Sequence, residues 1–166
     1  MSLTSEVIVP FNSPLETGLR SLCILVAASP NSFDLQQLIA FDYLVVHTGD
    51  IENAPPSLHP IDPKRNGELL VRRQLVERGL LLMESRGLIQ KKSTTEGFQY
   101  NSDEFASIFL KSLTKIYTIE LLQRARWVVK KYKSEGDQAF PIIFQHAFDR
   151  WAAEFEFRKI SIRNEA

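Results

Sequence analysis

Two histidines and an aspartate lie close together near the middle of the first half of the chain, at His47, Asp50 and His59. Imidazole and carboxylate groups are common ligands of zinc and non-haem iron, and they act as acids and bases in catalysis. A metal site needs its ligands to converge on one ion, whereas His59 is separated from the other two by a proline-rich loop. A helix-capping His47 and an Asx-turn Asp50 are the better interpretation, so we expect no metal and no cofactor.

No other segment carries a catalytic signature. The sequence contains neither the G-x-S-x-G of a serine nucleophile nor the G-x-x-x-x-G-K of a phosphate-binding loop. The single cysteine, Cys23, lies in the apolar run L-C-I-L-V, which is typical of a buried core residue. His146 has aromatic neighbours in a predicted helix and is interpreted as a partly buried structural histidine. We therefore expect a protein that is not an enzyme.

The composition is that of an ordinary globular protein, with 44% hydrophobic and 24% charged residues among 166. This length suits a single domain that can form a stable core without disulfides or metals. No segment has the composition of a signal peptide, or the roughly 18 consecutive apolar residues of a membrane helix. We expect a cytoplasmic protein that does not contact a membrane.

Charge is unevenly distributed along the chain, although the net charge is zero. Residues 1–63 contain one basic and seven acidic residues, whereas residues 64–93 contain eight basic and three acidic residues. Residues 111–133 form a second basic block, with seven basic residues and one acidic residue. Such a distribution is typical of a protein that contacts partners of different charge.

Two helices are predicted before the histidine segment. The first begins at Pro14, directly after Ser13, which is a good N-cap. The second begins after Asn31 or Ser32 and ends at Gly49. We expect this glycine to adopt a left-handed backbone conformation, which it does at little steric cost.

A proline-rich loop and a long helix follow. The loop spans residues 50–63 and contains four prolines, from Pro55 to Pro63. Long, stiff loops in compact domains are usually functional or bound to something. The helix spans about residues 66–86, and Leu81 is predicted to widen its apolar face. Its Gly79 costs about 1 kcal/mol relative to alanine in mid-helix, so we interpret this glycine as a site of close packing.

A β-hairpin is predicted after the long helix. Leu88 and Ile89 precede a polar turn, and Phe98 and Tyr100 follow it. The order of these elements predicts a mainly α fold with a winged-helix-like core over residues 1–100, in which three helices precede a β-hairpin wing.

Additional C-terminal helices are predicted over residues 101–166, packed on the core as one compact unit. Ser102 is the expected N-cap of the first of them. The last spans about Phe140 to Phe157 and has an apolar aromatic stripe.

Basic side chains on the predicted third helix, on the wing and in the second basic block are candidates for contact with DNA. They are Arg73, Lys91, Lys92, Arg124, Arg126, Lys130 and Lys131. In a helix-turn-helix protein the third helix enters the major groove, but here it is too apolar to lie free in a groove. A protein adaptor is therefore the favoured interpretation, and a winged-helix DNA-binding transcriptional regulator is the alternative.

Three strings point to a family: F-D-Y-L-V-V-H-T-G-D, P-P-S-L-H-P and R-N-G-E-L-L-V-R-R-Q-L-V-E-R-G-L-L-L-M. They resemble the middle components of bacterial ABC three-component conflict systems, the group that includes the small C subunit of Lamassu anti-phage systems. The resemblance is strongest from Phe41 to Leu88. It departs at Lys64, where a histidine is expected, so no ligand role is carried over to that position.

This resemblance implies a non-enzymatic subunit that links an SMC-like ATPase to an effector, often a nuclease, in anti-phage or anti-plasmid defence. DNA would be contacted through the complex, because the ATPase of such systems is thought to sense it. We predict that the proline loop and the start of the following helix form the surface that binds a partner protein. The predicted partner-binding residues are His47, Asp50, Pro55, Pro56, His59, Arg65, Glu68 and Arg72.

Overall fold

The computed structural model describes residues 13–51, 53–59 and 68–134. The elements are α1 (Pro14–Ala28), α2 (Leu35–Val46), a 3-10 helix (Thr48–Asp50), α3 (Glu68–Ser85), β1 (Ile89–Thr94), β2 (Gly97–Ser102), α4 (Ala106–Ser112) and α5 (116–134). The predicted mainly α fold with a β-hairpin is confirmed. The order of α1, α2, α3 and the hairpin is consistent with a winged-helix-like core.

Some predicted features lie outside the described residues. They are Arg65, the end of the proline loop, His146 and the helix from Phe140 to Phe157. The division of the chain near residue 100 stays a prediction. Among the residues that are described, no helix is long and apolar enough to cross a membrane.

Helix α1 begins as its sequence predicts. The Ser13 hydroxyl accepts a hydrogen bond from the Glu16 amide at 3.2 Å, and Pro14 occupies the first helical position. Helix α3 then packs against α1 at a glycine pair. A Cβ atom on Gly79 would lie 2.5 Å from the Gly18 backbone nitrogen, so neither helix tolerates a side chain at this crossing. The interpretation of Gly79 as a site of close packing is confirmed.

Helix α2 begins later than predicted. Its N-cap is Asp34, which forms a capping box with Gln37 through hydrogen bonds of 2.8 and 2.9 Å. The prediction of Asn31 or Ser32 as the cap is wrong because the backbone of Phe33 is engaged elsewhere. It exchanges two hydrogen bonds, of 2.8 and 2.9 Å, with Tyr100 of β2.

The hairpin ties the end of α3 to the start of α4. Strands β1 and β2 are antiparallel, and Gly97 closes the turn with a φ of +111°. Ser102 pairs with Ile89 as the last residue of β2, so the prediction that it caps the next helix is wrong. The Asp103 carboxylate instead accepts a hydrogen bond from the Phe105 amide at 3.1 Å, just before α4 begins.

Among the described residues, a hydrophobic core lies between α1, α2, α3 and α5. Phe41 of α2 is fully buried at its centre, and the Tyr132 ring of α5 packs edge-on against it at 5.8 Å. Leu121 and Ala125 of α5 are also fully buried. Leu81, which was predicted to widen the apolar face of α3, is 67% exposed. Among the described residues, the buried face of α3 is therefore narrower than the sequence suggested.

Candidate functional site

A cluster of buried ions lies beneath the histidine segment. Asp42 of α2 is fully buried, and its carboxylate accepts a hydrogen bond from Arg20 Nε of α1 at 2.7 Å. Arg72 of α3 forms a second ion pair with the same carboxylate. Arg20 also donates to the Thr17 hydroxyl at 3.3 Å. One carboxylate thus connects three helices at the place where they face the loop.

The cluster stays ionised because its members compensate one another. Burial alone would raise the pKa of Asp42, but the charges of Arg20 and Arg72 outweigh it and hold that pKa below its ordinary value. Burial would lower the pKa of Arg20, but the Asp42 charge outweighs that effect and the pKa is raised. Removing the buried Asp42 carboxylate is costly, because Arg20 and Arg72 both lose the negative charge with which they pair.

Four rings form a second layer between this cluster and the loop. Tyr43 of α2 lies beneath the Arg72 guanidinium, which is 5.3 Å from the ring centroid. The Tyr43 and His47 rings have centroids 4.6 Å apart, and the His47 and His59 rings meet edge-on at 6.1 Å. His59 Nε2 and the Tyr117 hydroxyl of α5 are hydrogen-bonded at 2.8 Å. The rings therefore form a continuous series of contacts from Arg72 of the ion cluster, through His59 of the loop, to Tyr117 of α5.

His59 is neutral at pH 7. Burial, together with the positive charges of Arg20 and its neighbours, lowers the pKa of His59 from 6.5 to about 4. Burial raises the pKa of the Tyr117 hydroxyl, which is therefore protonated. A neutral imidazole and a protonated phenol form an uncharged hydrogen bond, so this pair has a structural role at neutral pH.

The first part of the loop folds back onto the end of α2. The Thr48 hydroxyl is hydrogen-bonded to the carbonyl oxygens of Pro55 and Pro56, at 2.8 and 3.1 Å. The Gly49 amide donates to the Ser57 hydroxyl at 2.8 Å. These bonds use the polar groups of the H-T-G-D segment to fix the backbone of the proline segment.

The far side of the loop is held by α2 and α5. The amides of Leu58 and His59 both donate to the Val46 carbonyl oxygen at 3.1 Å, which satisfies an acceptor at the end of α2. Arg124 of α5 donates from Nε to the Pro56 carbonyl oxygen at 2.9 Å. We call residues 53–59, held in this way, the braced loop.

Gly49 is required for space and not for a left-handed conformation. Positive φ angles among the described glycines occur at Gly87 and Gly97, so the expectation for Gly49 is wrong. Helix α2 already ends at Val46, and Gly49 lies within the 3-10 helix. A Cβ atom on Gly49 would lie 2.7 Å from Ser57 Oγ, which would break the bond between the two residues.

The structure brings most of the predicted partner-binding residues into one region, but many of them are not surface groups. His47 is 7% exposed and Arg72 is 11% exposed, so both support the loop from below. Pro55 and His59 are partly buried, and Pro56 is exposed. Asp50 ends the 3-10 helix and Glu68 begins α3, whereas Arg65 lies outside the described residues.

Sequence reasoning missed Arg20, Asp42 and Tyr117. A signal for the first two was present, because each charged residue interrupts an apolar helical run: L-R-S-L-C contains Arg20 and A-F-D-Y-L contains Asp42. Charged residues are almost never fully buried unless paired, so two such interruptions of opposite sign predict a buried pair. No sequence pattern indicated that Tyr117 meets the loop.

The candidate DNA-contacting residues are used in several ways. Arg73 pairs with Glu77 at 3.4 Å, Lys91 lies 4.0 Å from the Phe98 ring centroid, and Lys131 lies 5.7 Å from that of Trp127. Arg124 holds the braced loop, as described above. The remaining candidates, Lys92 on β1 and Arg126 and Lys130 on α5, are exposed.

The described residues contain no group of three or more His, Cys, Asp or Glu side chains that could hold a metal ion. Cys23 is buried as expected, and burial raises the pKa of its thiol to about 12. A thiol with that pKa is protonated at neutral pH and is not a nucleophile. The geometry of the region is that of a braced surface loop.

A family model described as "ABC-three component (ABC-3C) system Middle Component 2" matches residues 10–154 of the chain. A search of curated proteins and a search of solved structures found no match. The family match covers most of the chain, including the ion cluster and the braced loop. The chain therefore belongs to this family.

Proposed function

Since the chain is a middle component of an ABC three-component system, we propose that it is a cytoplasmic, non-enzymatic adaptor. It joins an SMC-like ATPase to an effector such as a nuclease, in a complex of the Lamassu kind that acts against phages or plasmids. The braced loop is the surface that it presents to one of these partners, and DNA is reached through the complex.

The observation that supports this proposal is the way in which the loop is held. The braced loop is hydrogen-bonded to α2, to the 3-10 helix and to α5, and His59 anchors it to Tyr117. Pro56 and Ser57 remain exposed at its surface. A loop that is already ordered loses little conformational entropy when it binds, which raises its affinity for a partner.

A DNA-binding transcriptional regulator is the alternative, and the exposed Lys92, Arg126 and Lys130 favour it. The surface of α3 argues against it. Arg73 on that surface is already paired with Glu77. A helix that reads DNA gains affinity by neutralising phosphates, and the Glu77 carboxylate beside Arg73 would repel them.

The adaptor proposal is tested by co-purification of the tagged chain with the ATPase subunit of its system. Pro56→Glu changes an exposed loop residue, and Thr95→Glu makes the same change at the exposed hairpin turn as a matched control. We expect Pro56→Glu to reduce the recovered ATPase about tenfold and Thr95→Glu to leave it unchanged. Undiminished recovery with a folded Pro56→Glu protein would contradict the proposal.

The alternative predicts a different result in a gel shift with duplex DNA. A transcriptional regulator alone would bind the duplex tightly, with an affinity that falls steeply as salt is added. The adaptor alone would not shift the duplex.

A further inference from the structure

A second concave surface lies on the other part of α3, away from the ion cluster. It is an open groove of about 720 Å³ between α2, α3 and the hairpin. Its base includes the buried Ile39 and Leu80. Two large apolar side chains stand at its wall, since Leu81 is 67% exposed and Phe98 is 55% exposed. Exposed apolar groups that converge on a concave surface are typical of a site that binds another molecule.

The groove is acidic. Its lining contains four carboxylates, on Asp34, Glu77, Glu84 and Glu96, and two cations, on Arg73 and Lys91. The formal charge of the lining is therefore −2, from two positive and four negative groups. Both cations are already engaged, Arg73 with Glu77 at 3.4 Å and Lys91 with the Phe98 ring at 4.0 Å.

Two of the carboxylates remain to attract a cation. Neither Glu84 nor Glu96 has an ion-pair partner among the described residues. Burial, and then the negative charges of Glu84 and Glu77, raise the pKa of the Tyr100 hydroxyl, which lines the same groove. The exposed Leu81 and Phe98 thus belong to a groove whose lining has a net negative charge.

We propose that this groove binds a basic amphipathic helix of a partner protein. Its apolar side chains contact Leu81 and Phe98, and its Lys or Arg side chains face Glu84 and Glu96. A helix laid in a groove, with apolar anchors and flanking charges, is a common mode of peptide recognition. Charge complementarity identifies the partner as basic, because a neutral or acidic segment would leave these carboxylates uncompensated.

Duplex DNA does not fit this groove, although in a winged-helix protein the third helix and the wing are the DNA-reading elements. Its phosphates would meet a surface with a formal charge of −2. The groove extends the proposed function by giving the adaptor a second docking surface. It does not depend on the braced loop, because the two surfaces share no residue.

The test is a titration of the full chain with a fluorescein-labelled peptide of Leu and Lys residues, spaced so that it forms an amphipathic helix. Glu84→Lys/Glu96→Lys removes the acidic attraction, and Glu104→Lys/Glu120→Lys changes the net charge equally at positions outside the groove. We expect the groove variant to weaken peptide binding about tenfold relative to the control variant. Phe98→Ala should also weaken binding without altering the charge.

Equal weakening by both charge variants would overturn the proposal, because it would show attraction by overall charge alone. Absence of peptide binding to the unaltered chain would also overturn it, as would binding of a labelled DNA duplex in competition with the peptide. A failure here leaves the result of the Pro56→Glu co-purification unaffected, so the two proposals fail separately.

Discussion

The braced loop and the acidic groove differ in what holds them and in what they expose. The loop presents Pro56 and Ser57, but it is held by its own partly buried His59 and lies above a cluster in which Asp42 is fully buried. The groove is built from two helices and a hairpin, and its recognition groups lie on the surface. The histidines and charges that resemble a catalytic site therefore hold the conformation of the loop. In the groove, the apolar and acidic side chains would contact a partner directly.

Substitution at Asp42 has the largest expected effect, because it removes the buried carboxylate that pairs with both Arg20 and Arg72. We expect Asp42→Asn to lower the free energy of unfolding by about 3–5 kcal/mol. Urea denaturation followed by circular dichroism measures this loss. We expect the same substitution to change the conformation of the braced loop. The groove, which is not lined by Asp42, should keep its shape.

Glu77→Gln is the matched control, since it breaks an ion pair that is exposed on the groove side. Its side chain and that of Arg73 are 48% and 57% exposed. We expect a loss of roughly 0.5 kcal/mol or less. Similar losses for the two variants would remove the distinction between a buried cluster and a surface pair.

The pH dependence of stability also distinguishes the two regions, because the braced loop contains His59, whose pKa is lowered by the fold. The folded-state pKa of His59 is about 4, below the unfolded value of 6.5. Because the unfolded chain takes up the proton first, the stability that neutral His59 contributes is present above pH 6.5 and is lost as the pH falls toward 4. After allowance for the partial exposure of the ring, we expect a loss of roughly 1 kcal/mol.

The measurement is urea denaturation of the wild type and of His59→Gln at several pH values. The wild type should lose stability across the window from pH 6.5 to about 4, and the variant should lose less. Identical pH profiles would show that His59 is not held neutral by the fold.

Gly49→Ala affects the bond between the 3-10 helix and the braced loop, because it would place a Cβ atom 2.7 Å from Ser57 Oγ. We expect a loss of roughly 1 kcal/mol and weaker recovery of the ATPase, with peptide binding at the groove unchanged. Adding Ser57→Ala removes the clashing hydroxyl. The double variant should therefore be no less stable than Ser57→Ala alone, and additive losses would show that Gly49 has another role.

The sequence predicted those parts of the fold that depend on neighbouring residues. Ser13 and Pro14 start α1 through contacts within one turn, and Gly97 closes a two-stranded hairpin locally. Predictions failed where a distant residue intervenes. Phe33 is engaged by Tyr100 and Ser102 by Ile89, and neither pairing leaves a local signal.

The same distinction applies to the candidate site. The pattern of prolines and histidines located the loop, and the resemblance to a family supplied its functional context. The supports of the loop come from α1, α3 and α5, through Arg20, Arg72 and Tyr117, which are far apart in sequence. Which residues are exposed for contact could not be read from the sequence, because exposure depends on how those helices pack.

Photo-crosslinking shows whether the braced loop contacts a partner, as we propose. A benzophenone amino acid replaces Pro56 in one protein and Thr95, in the hairpin turn, in another, and each is irradiated in complex with the ATPase and the effector. We expect a crosslink from position 56 to one of these subunits, and a weaker crosslink or none to that subunit from position 95. No crosslink from position 56 in an assembled complex would contradict it.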